Sequence, residues 1–265
     1  MNPKVKIIIL NWNQPQLTID CIESVEKIKY DNYDILIIDN GSDDDSINII
    51  EKEYSDIEIL PLDKNYKFAG AYNRAIEHVE NKDVEYLLLL NNDTIVSSDL
   101  IANFVENIKD NPNCIFGAKI YYLNNKKKIW YAGGKIKLNK GKIYHIGIGE
   151  IESGKYNANV ETDYVTGCCM FAKKNIFTSL NGFDSSFNMY GEDVDFCIRA
   201  NALGFKSIFI YNCLVWHHVS ASISSTNKIL TQISSMWKLT QKHNNGLSKY
   251  SAFLNYLINS MRKLF

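Results

Sequence analysis

The pattern of apolar and polar positions in the first 120 residues alternates between two periods. Short continuous apolar runs are typical of strands buried on both faces, and four occur, at residues 4–10, 34–39, 57–62 and 85–90. The apolar residues have helical spacing at 15–28, 70–79 and 100–108. Strands that alternate with helices predict an α/β fold with a Rossmann-like, mostly parallel sheet and helices on both faces.

A different texture begins near residue 121. Residues 121–150 contain short strand-like pieces separated by glycines, which predicts a hairpin insertion. Further apolar runs predict strands at residues 163–171 and 206–216, followed by helical periodicity to the end of the sequence. We therefore expect one domain with two halves, residues 1–120 and 121–221, and a helical tail, residues 222–265.

Polar side chains follow three of the predicted strands directly. They are Asn11 and Asn13 after the first strand, Asp39 and Asn40 after the second, and Asn91, Asn92 and Asp93 after the fourth. Because the carboxyl ends of parallel strands lie at one edge of a sheet, we expect these side chains to line a ligand site. Asp93 with Asn91 suits magnesium or manganese, which prefer oxygen ligands. The tripeptide by itself equally suits a turn or a helix cap at Thr94.

A second polar cluster opens a helix predicted at residues 193–203. Glu192 and Asp193 follow the largely apolar and aromatic segment 187–190, which would line a pocket and partly desolvate a carboxylate. A carboxylate held in this way can accept a proton from a hydroxyl, which contributes about 10² to 10⁴ in rate. The alternative is a structural role, because carboxylates in the first turn of a helix interact favourably with its dipole.

Two histidines, His217 and His218, end the last predicted strand. Neighbouring residues of a strand point to opposite faces, so at most one of them can join a site with Asp93. That histidine would be a metal ligand, whereas most single histidines are hydrogen-bonded surface or core residues.

Two charged segments precede predicted helices. Ser42 is predicted to cap a helix, because the three aspartates at 43–45 would place negative charge in its first turn. Lys64, Lys67 and Arg74 lie in a loop and helix start that would cradle a phosphate. The segment lacks both the Walker A spacing and the Gly-x-Gly-x-x-Gly turn, which argues against ATPases and nicotinamide-dependent enzymes.

The six cysteines are scattered through apolar segments, without a Cys-x-x-Cys pair or the spacing of a zinc site. We therefore expect small buried side chains in a reducing compartment. No run approaches the ~20 apolar residues that a bilayer crossing needs, and the start lacks the features of a signal peptide. These observations predict a cytoplasmic protein.

The net charge of −1 hides a division along the chain. Residues 1–195 contain all 30 acidic residues and 21 of the 29 basic ones, a net charge of −9, and residues 196–265 contain the other 8 basic residues. This division indicates either that the tail faces an anionic membrane surface or acceptor, or only that solvated helices became basic.

Taken together, several segments resemble glycosyltransferase family 2 in residue type, order and spacing. They are IIILNWN, ILIIDNGSDDDS, NYKFAGAYNRAI, YLLLLNNDT, and the pair VTGCCMFAKK and FNMYGEDVDFCIRA, closed by VWHH. The resemblance covers residues 4–220 and is greatest to the rhamnosyltransferase-like branch that builds bacterial surface polysaccharides. It implies the GT-A fold and inverting transfer of a sugar from a nucleotide diphosphate sugar, dTDP-rhamnose or a UDP-sugar, to a glycan or lipid-linked acceptor.

The resemblance implies a nucleotide-binding half at residues 1–120 and an acceptor and catalytic half at residues 121–221. The residues that match nucleoside-binding positions are Asn11, Asn13, Asp39 and Asn40. Asp39 is expected to accept a hydrogen bond from a pyrimidine base, and Gly70 and Asn73 match the segment that approaches the diphosphate.

The resemblance further implies a metal site and a catalytic base. Asn91-Asn92-Asp93 matches the metal-binding Asp-x-Asp, and His217 matches a histidine that completes the metal shell in some members. Asp193 matches the catalytic base, and Glu192 is its neighbour. Because Asn91 replaces the first Asp and removes a negative charge, we expect manganese or magnesium to bind weakly and to rely on the phosphates of the donor.

Two other functions stay open. A sugar-1-phosphate nucleotidyltransferase needs a glycine- and arginine-rich loop after the first strand, which residues 11–15 lack. The second alternative is a protein that binds a nucleotide sugar without turnover. The loss of a carboxylate at Asn91 favours this alternative, and the presence of Asp93, Asp193 and His217 argues against it. The tail would bind the inner face of the cell membrane, pack on the core, or join two subunits as a homodimer, and we expect no nucleic-acid partner.

Overall fold

A mixed ten-stranded sheet lies at the centre of the molecule, which a computed structural model describes for residues 2–187, 189–219 and 225–261. The strands are β1 (Val5–Asn11), β2 (Tyr33–Asp39), β3 (Glu58–Pro61), β4 (Tyr86–Asn91), β5 (Thr94–Val96), β6 (Cys114–Tyr122), β7 (Asn125–Tyr131), β8 (Gly134–Lys137), β9 (Lys142–His145), β10 (Val160–Thr162), β11 (Cys169–Lys173) and β12 (Lys206–His217). The helices are α1 (Pro15–Val25), α2 (Ser46–Glu53), α3 (Lys67–His78), α4 (Leu100–Ile108), α5 (Lys174–Ser179), α6 (Glu192–Ala202), α7 (Ser225–His243) and α8 (Ser248–Met261), with a 3-10 helix at Leu138–Lys140.

The first half of the sheet is parallel. Strands β4, β1, β2 and β3 lie side by side in that order. Their register places Asn11 beside Asp39 and Leu10 beside Asn91, so the polar strand ends meet at one edge. This arrangement confirms the predicted α/β class and the predicted meeting of the strand ends.

Burial along these strands shows why the apolar runs are continuous. Every side chain from Leu87 to Leu90 is fully buried. Since alternate residues of a strand point to opposite faces, burial at every position requires cover on both faces of the sheet. Burial of apolar surface at about 25 cal/mol per Å² is the main term that stabilises this arrangement.

The second half of the sheet mixes directions. Strand β11 pairs antiparallel with β4 and β6, and β12 pairs parallel with β6 and antiparallel with β10 and β5. The pairing of β12 with β6 shifts register between Ile210 and Leu214. Such an irregularity bends a strand and re-aims its end, which here carries His217.

Two predictions from local pattern are wrong. Ser42 does not cap a helix, because α2 begins at Ser46 and Asp45 precedes it. Residues 163–171 do not form one strand, because β10 ends at Thr162 and β11 begins at Cys169. The loop between them resembles a strand in sequence because Val165 is fully buried, although it joins β8 through an isolated bridge between Tyr164 and Gly134 and not through a ladder.

The hairpin insertion predicted at residues 121–150 is present as β7 followed by the β8–β9 hairpin. The tail contains the two helices α7 and α8, and the predicted boundary at residues 221/222 lies outside the described residues. All six cysteines are buried and form no disulfide. Within the described ranges, no helix combines the length and apolarity needed to cross a bilayer.

Candidate active site

Four side chains at or just after the ends of β1, β2 and β4, together with Thr18 of α1, form a group that we call the strand-end network: Asn11, Thr18, Asp39, Ser42 and Asn92. Asn11 Nδ2 donates to Asp39 Oδ1 at 2.8 Å, and Thr18 Oγ1 donates to Asn11 Oδ1 at 2.7 Å. Asn92 Nδ2 donates to Thr18 Oγ1 at 3.0 Å. Ser42 donates to Asp39 through its hydroxyl at 2.6 Å and its backbone N–H at 3.0 Å. Because these buried polar groups satisfy one another, the network fixes the strand ends relative to each other.

Backbone strain lies close to this network. Among the described residues, the non-glycine positions with positive φ are Asn13, Lys67, Asn181 and Tyr190. Asn13 follows β1 and Lys67 opens α3, and the Lys67 Nζ lies 6.0 Å from the ring of Trp12, which is 49% exposed. Such backbone strain is concentrated at functional sites in proteins.

The predicted phosphate cradle is partly engaged by the protein itself. The Arg74 guanidinium lies 3.2 Å from the centre of the Tyr66 ring, and its Nη1 donates to the Gly70 carbonyl at 2.9 Å. Asn40 Oδ1 accepts a hydrogen bond from the Tyr66 backbone N–H at 2.8 Å. These contacts hold the start of α3 in place through Arg74, Gly70 and Asn40. Of the basic residues predicted to cradle a phosphate, Lys67 lies at the edge of this segment.

Asn73 is bonded to a distant loop. Its Nδ2 donates to the Phe183 carbonyl at 2.8 Å, and its Oδ1 accepts from the Phe183 N–H at 2.8 Å. A side chain at Gly182 would meet Asn73 Oδ1 at 2.2 Å, so the close approach requires glycine. The Asn73 amide thus ties α3 to the loop that leads to the second polar cluster.

Asp93 and His217 are in direct contact. His217 Nε2 lies 3.2 Å from both oxygens of Asp93, with hydrogen-bonding geometry toward Oδ2. The contact follows from the pairing of β12 with β5, in which His217 lies opposite Thr94. The His218 N–H donates to the Asp93 carbonyl at 2.8 Å, while the His218 side chain is exposed. Only one of the two histidines therefore faces the Asp93 side chain, as predicted.

The Asp93–His217 pair fits a divalent cation. Asp93 Oδ1 and His217 Nδ1 are buried and have no hydrogen-bond partner within the described part of the chain, and a buried unpaired polar atom calls for a ligand or another explanation. Carboxylate oxygen and imidazole nitrogen both suit manganese. Over the part of the chain that the structure describes, no three His, Cys, Asp or Glu side chains form a metal-holding group. The remaining ligands would therefore have to come from a bound substrate or water.

Glu192 and Asp193 open α6 in different environments. Asp193 remains partly exposed, and its two oxygens accept hydrogen bonds from the N–H groups of Gly167 at 3.0 Å and Val194 at 2.8 Å. Burial raises the pKa of Asp193. Glu192 is 7% exposed with Oε2 unpartnered, and burial together with the charge of Asp193 raises the pKa of Glu192 to about 8. Asp193 is therefore the accessible and oriented carboxylate of the two.

The loop before β11 joins the two polar clusters. The Cys168 carbonyl accepts a hydrogen bond from the Asn91 N–H at 3.0 Å, and the adjacent Gly167 N–H donates to Asp193. Burial raises the pKa of the Cys168 thiol, and the charges of Asp93 and Asp193 both add to this increase. The two carboxylates and His217 thus converge around one loop, although they are distant in sequence.

Helix α7 contacts α6, the helix that carries the second polar cluster. Asp195 is fully buried and interacts with Lys242 at 2.8 Å, His243 at 2.7 Å and Arg199 at 2.8 Å. Burial opposes ionisation of Asp195, but these hydrogen bonds lower its pKa. The Ser235 hydroxyl donates to the backbone carbonyl of residue 189 at 2.8 Å. Part of the basic charge of the tail is therefore paired with acids of the catalytic half.

The hairpin insertion contributes residues that local pattern did not single out. The Trp130 ring lies edge-on to His217 at 4.6 Å and to His145 at 4.4 Å between centroids. Burial lowers the pKa of His145 to about 4, so it is neutral at pH 7 and adds no charge beside His217. The sequence feature that could have pointed to Trp130 was an aromatic residue within a hairpin interrupted by glycines. Thr18 in the strand-end network was equally unpredicted.

Comparison with solved structures defines the class of protein. The structure of GalNAc-T7 with UDP, GalNAc and Mn²⁺ matches with a TM-score of 0.68 at 14% identity, covering 95% of this chain and 54% of that one. Staphylococcus aureus TarS matches with a TM-score of 0.60 at 12% identity, covering 96% of this chain and 43% of that one. The fold is that of the GT-A glycosyltransferases.

The chain belongs to glycosyl transferase family 2, whose profile matches residues 6–180. It is 24% identical to the O-antigen biosynthesis protein RfbC of Myxococcus xanthus, over 83% of this chain and 18% of that protein. It is also 24% identical to the rhamnosyltransferase WbbL of Escherichia coli K12, over 68% of this chain and 70% of that protein. A poly-β-1,6-N-acetyl-D-glucosamine synthase of Staphylococcus aureus is 29% identical over 41% of this chain and 26% of that enzyme. The chain thus spans about a fifth to a quarter of RfbC and of the synthase. The predicted family and branch are confirmed.

Proposed function

We propose that this protein transfers a sugar from a nucleotide diphosphate sugar, dTDP-rhamnose or a UDP-sugar, to a glycan or lipid-linked acceptor in surface polysaccharide synthesis. The observation that carries the proposal is the convergence of Asp93, His217 and Asp193 beside the strand-end network. Similarity to a rhamnosyltransferase and to an O-antigen biosynthesis protein supports the class of donor and of product.

The nucleoside binds at the strand-end network, within residues 1–120. Among the residues that the structure describes, Asp39 Oδ2 accepts a hydrogen bond from the Ser42 N–H alone, so it retains a lone pair for a base N–H, and Asn13 shapes the adjoining loop. Trp12 and Lys67 flank the entrance. Gly70 and Asn73 hold α3 and the 182–185 loop in place, which assigns them a positioning role beside the diphosphate.

Asp93 and His217 would hold a divalent cation, manganese or magnesium, together with the phosphates of the donor. When bound, the cation would supply positive charge that offsets the charge of the departing diphosphate. Asn91 contributes a neutral amide where a carboxylate would add another negative charge, so affinity in the absence of donor is low. Asn92 acts from the strand-end network through Thr18.

The reaction is a single displacement with inversion, in the half of the domain formed by residues 121–221. Asp193 accepts the proton of the acceptor hydroxyl. At the same time the oxygen of that hydroxyl bonds to the anomeric carbon of the donor sugar, and the bond from this carbon to the diphosphate oxygen breaks. Hydrogen bonds from Gly167 and Val194 orient the carboxylate, and burial raises its pKa toward a useful value for a base. Glu192 stays protonated beside it and adds no second negative charge.

The decisive experiment compares Asp193→Asn with the wild type. With manganese and a panel of dTDP-rhamnose and UDP-sugars, we expect the variant to lose about 10² to 10⁴ in transfer rate. Calorimetry should find its affinity for the donor within about twofold of wild type, because Asp193 contacts the acceptor only. Asp99→Asn, which changes an exposed carboxylate paired with Lys29, is the control and should be unaffected.

Transfer by Asp193→Asn at the wild-type rate would refute the assignment of the base. The substitution of Asn91 for a carboxylate favours a second function, binding of a nucleotide sugar without turnover. That function predicts calorimetric binding of a donor with no release of nucleoside diphosphate from the wild type under any condition of the panel.

A further inference from the structure

The helices α7 and α8 form a hairpin with one face on the core and one face in solvent. Met236 and Leu239 of α7 are buried, and so is Ala252 of α8, whose carbonyl lies where a side chain at Gly141 would stand. Trp237 joins the two helices, because its ring centroid lies 4.8 Å from that of Phe253. The hairpin therefore has a fixed orientation on the domain.

The outer face of this hairpin carries several large apolar side chains. The exposed large hydrophobic residues, with their exposed fractions, are Leu230 (60%), Trp237 (37%), Leu247 (84%), Tyr250 (53%), Leu254 (58%) and Ile258 (41%). Tyr250, Leu254 and Ile258 are spaced four residues apart, which places them in one stripe along α8, and Leu247 directly precedes this helix. A contiguous exposed apolar surface of this kind marks a site of interaction with a partner or a membrane.

The charge near the stripe favours an anionic surface over a second copy of the chain as the partner. The α7–α8 hairpin contains no acidic residue, and its Lys242 is turned toward the core, where it pairs with Asp184 and Asp195. Lys249 Nζ lies 5.2 Å from the Tyr250 ring, at the stripe itself. In a symmetric dimer the same patch contacts itself, so basic residues would meet with no acid of the hairpin to pair them. An anionic surface has no such penalty, and aromatic residues beside lysine suit the boundary between lipid headgroups and chains.

We propose that the outer face of the α7–α8 hairpin binds the surface of a bilayer that contains anionic lipids. The opposite face of α7 contacts the loop before α6 through Ser235, and contacts Asp195 of α6, the helix that Glu192 and Asp193 open, through Lys242 and His243. Binding would therefore hold the catalytic half against the membrane, where a lipid-linked acceptor is found. Only this last consequence rests on the proposed function, because the surface itself is independent of catalysis.

Vesicle flotation of the full chain tests the proposal without any substrate. We expect binding to vesicles of phosphatidylcholine with 30% phosphatidylglycerol, about tenfold weaker binding to phosphatidylcholine alone, and a decrease with added salt. Leu254→Glu should reduce the bound fraction at least about fivefold. Leu203→Glu is the matched control, since Leu203 is 59% exposed at the end of α6, away from the stripe, and should change binding by less than about twofold.

Leu247→Glu provides a second variant, which should fold like the wild type because Leu247 is 84% exposed. Equal binding by wild type, Leu247→Glu and Leu254→Glu would overturn the proposal, as would a wild type that binds neither kind of vesicle. A concentration-dependent dimer in sedimentation that both variants abolish would instead assign the face to a second copy. Release of nucleoside diphosphate, measured in parallel, shows separately whether the proposed enzymatic function holds.

Discussion

The two sides of the candidate active site differ in how their buried polar atoms are satisfied. In the strand-end network, Asn11, Thr18 and Asp39 are at most 1% exposed and are hydrogen-bonded to one another. On the other side, Asp93, His217 and Glu192 each retain a buried polar atom with no partner. A satisfied network is already organised before a ligand arrives, whereas unpaired buried atoms cost free energy until one binds.

This difference agrees with the proposed reaction, in which the second side carries the chemistry. A preorganised surface suits recognition of a donor, because little ordering remains to be done on binding. Unpaired atoms and carboxylates with raised pKa values suit a side where charge develops during reaction. Substitutions on the first side should therefore affect stability, and substitutions on the second side should affect activity and its dependence on metal and pH.

The largest effect that separates the two sides is expected from His217→Ala. Loss of the imidazole beside Asp93 should reduce the release of nucleoside diphosphate by about 10- to 100-fold and raise the manganese concentration needed for half-maximal rate. His218→Ala is the matched control, because its side chain is adjacent in sequence but exposed. Equal losses in the two variants would remove the metal-binding role of His217.

A smaller effect is expected from Asn11→Leu, which tests the satisfied side. The change removes a donor from Asp39 and an acceptor from Thr18, and such buried losses cost about 1 to 3 kcal/mol. Urea denaturation should therefore find a lower free energy of unfolding. Asn48→Leu on the exposed face of α2 should change it by less than ~0.5 kcal/mol. An unchanged free energy for Asn11→Leu would mean that the network does not organise the strand ends.

The smallest effect concerns Glu192→Gln and depends on pH. In the unfolded chain Glu192 ionises near its ordinary pKa of 4.5, whereas in the folded protein burial and Asp193 raise the pKa to about 8. Between these values the folded state binds more protons, so the stability of the wild type falls as pH rises through this window. Glutamine cannot ionise, and the melting temperature of the variant should exceed that of wild type by about 3 °C or more at pH 8.

The same measurement well below pH 4.5 provides the control, because Glu192 is then protonated in both states and the difference should nearly disappear. A difference in melting temperature that is the same at both pH values would show that packing, rather than ionisation, distinguishes the two side chains.

Local pattern predicted the grouping of the strand ends well and the surroundings of Asp93 and Asp193 less completely. Asn11, Asp39 and Asn92 could be grouped from sequence because each follows an apolar run, and parallel strands bring their ends together. The pairing of β5 with β12 could not be predicted, because three residues at Thr94–Val96 give no periodic signal. The loop with Gly167 resembled a strand because it is buried, yet it supplies an N–H to Asp193.

The tail shows the same limit. Its helical periodicity and basic charge were evident, and they left open an anionic partner outside the protein or basic helices that are only solvated. In the structure, Lys242 and His243 pair with Asp195 of the same chain, and several large hydrophobic residues are exposed on the face turned outward. Charge counted along a sequence does not reveal which side of a helix will carry it after packing.

By itself, the sequence determined the alternation of strands and helices, the edge where polar residues gather, and the family, because these depend on spacing between near neighbours. Tertiary structure alone decided that His217 contacts Asp93, that Gly167 orients Asp193, and that α7 supports Asp195. Those contacts join residues that are far apart in the chain, and their formation depends on how every element between them packs.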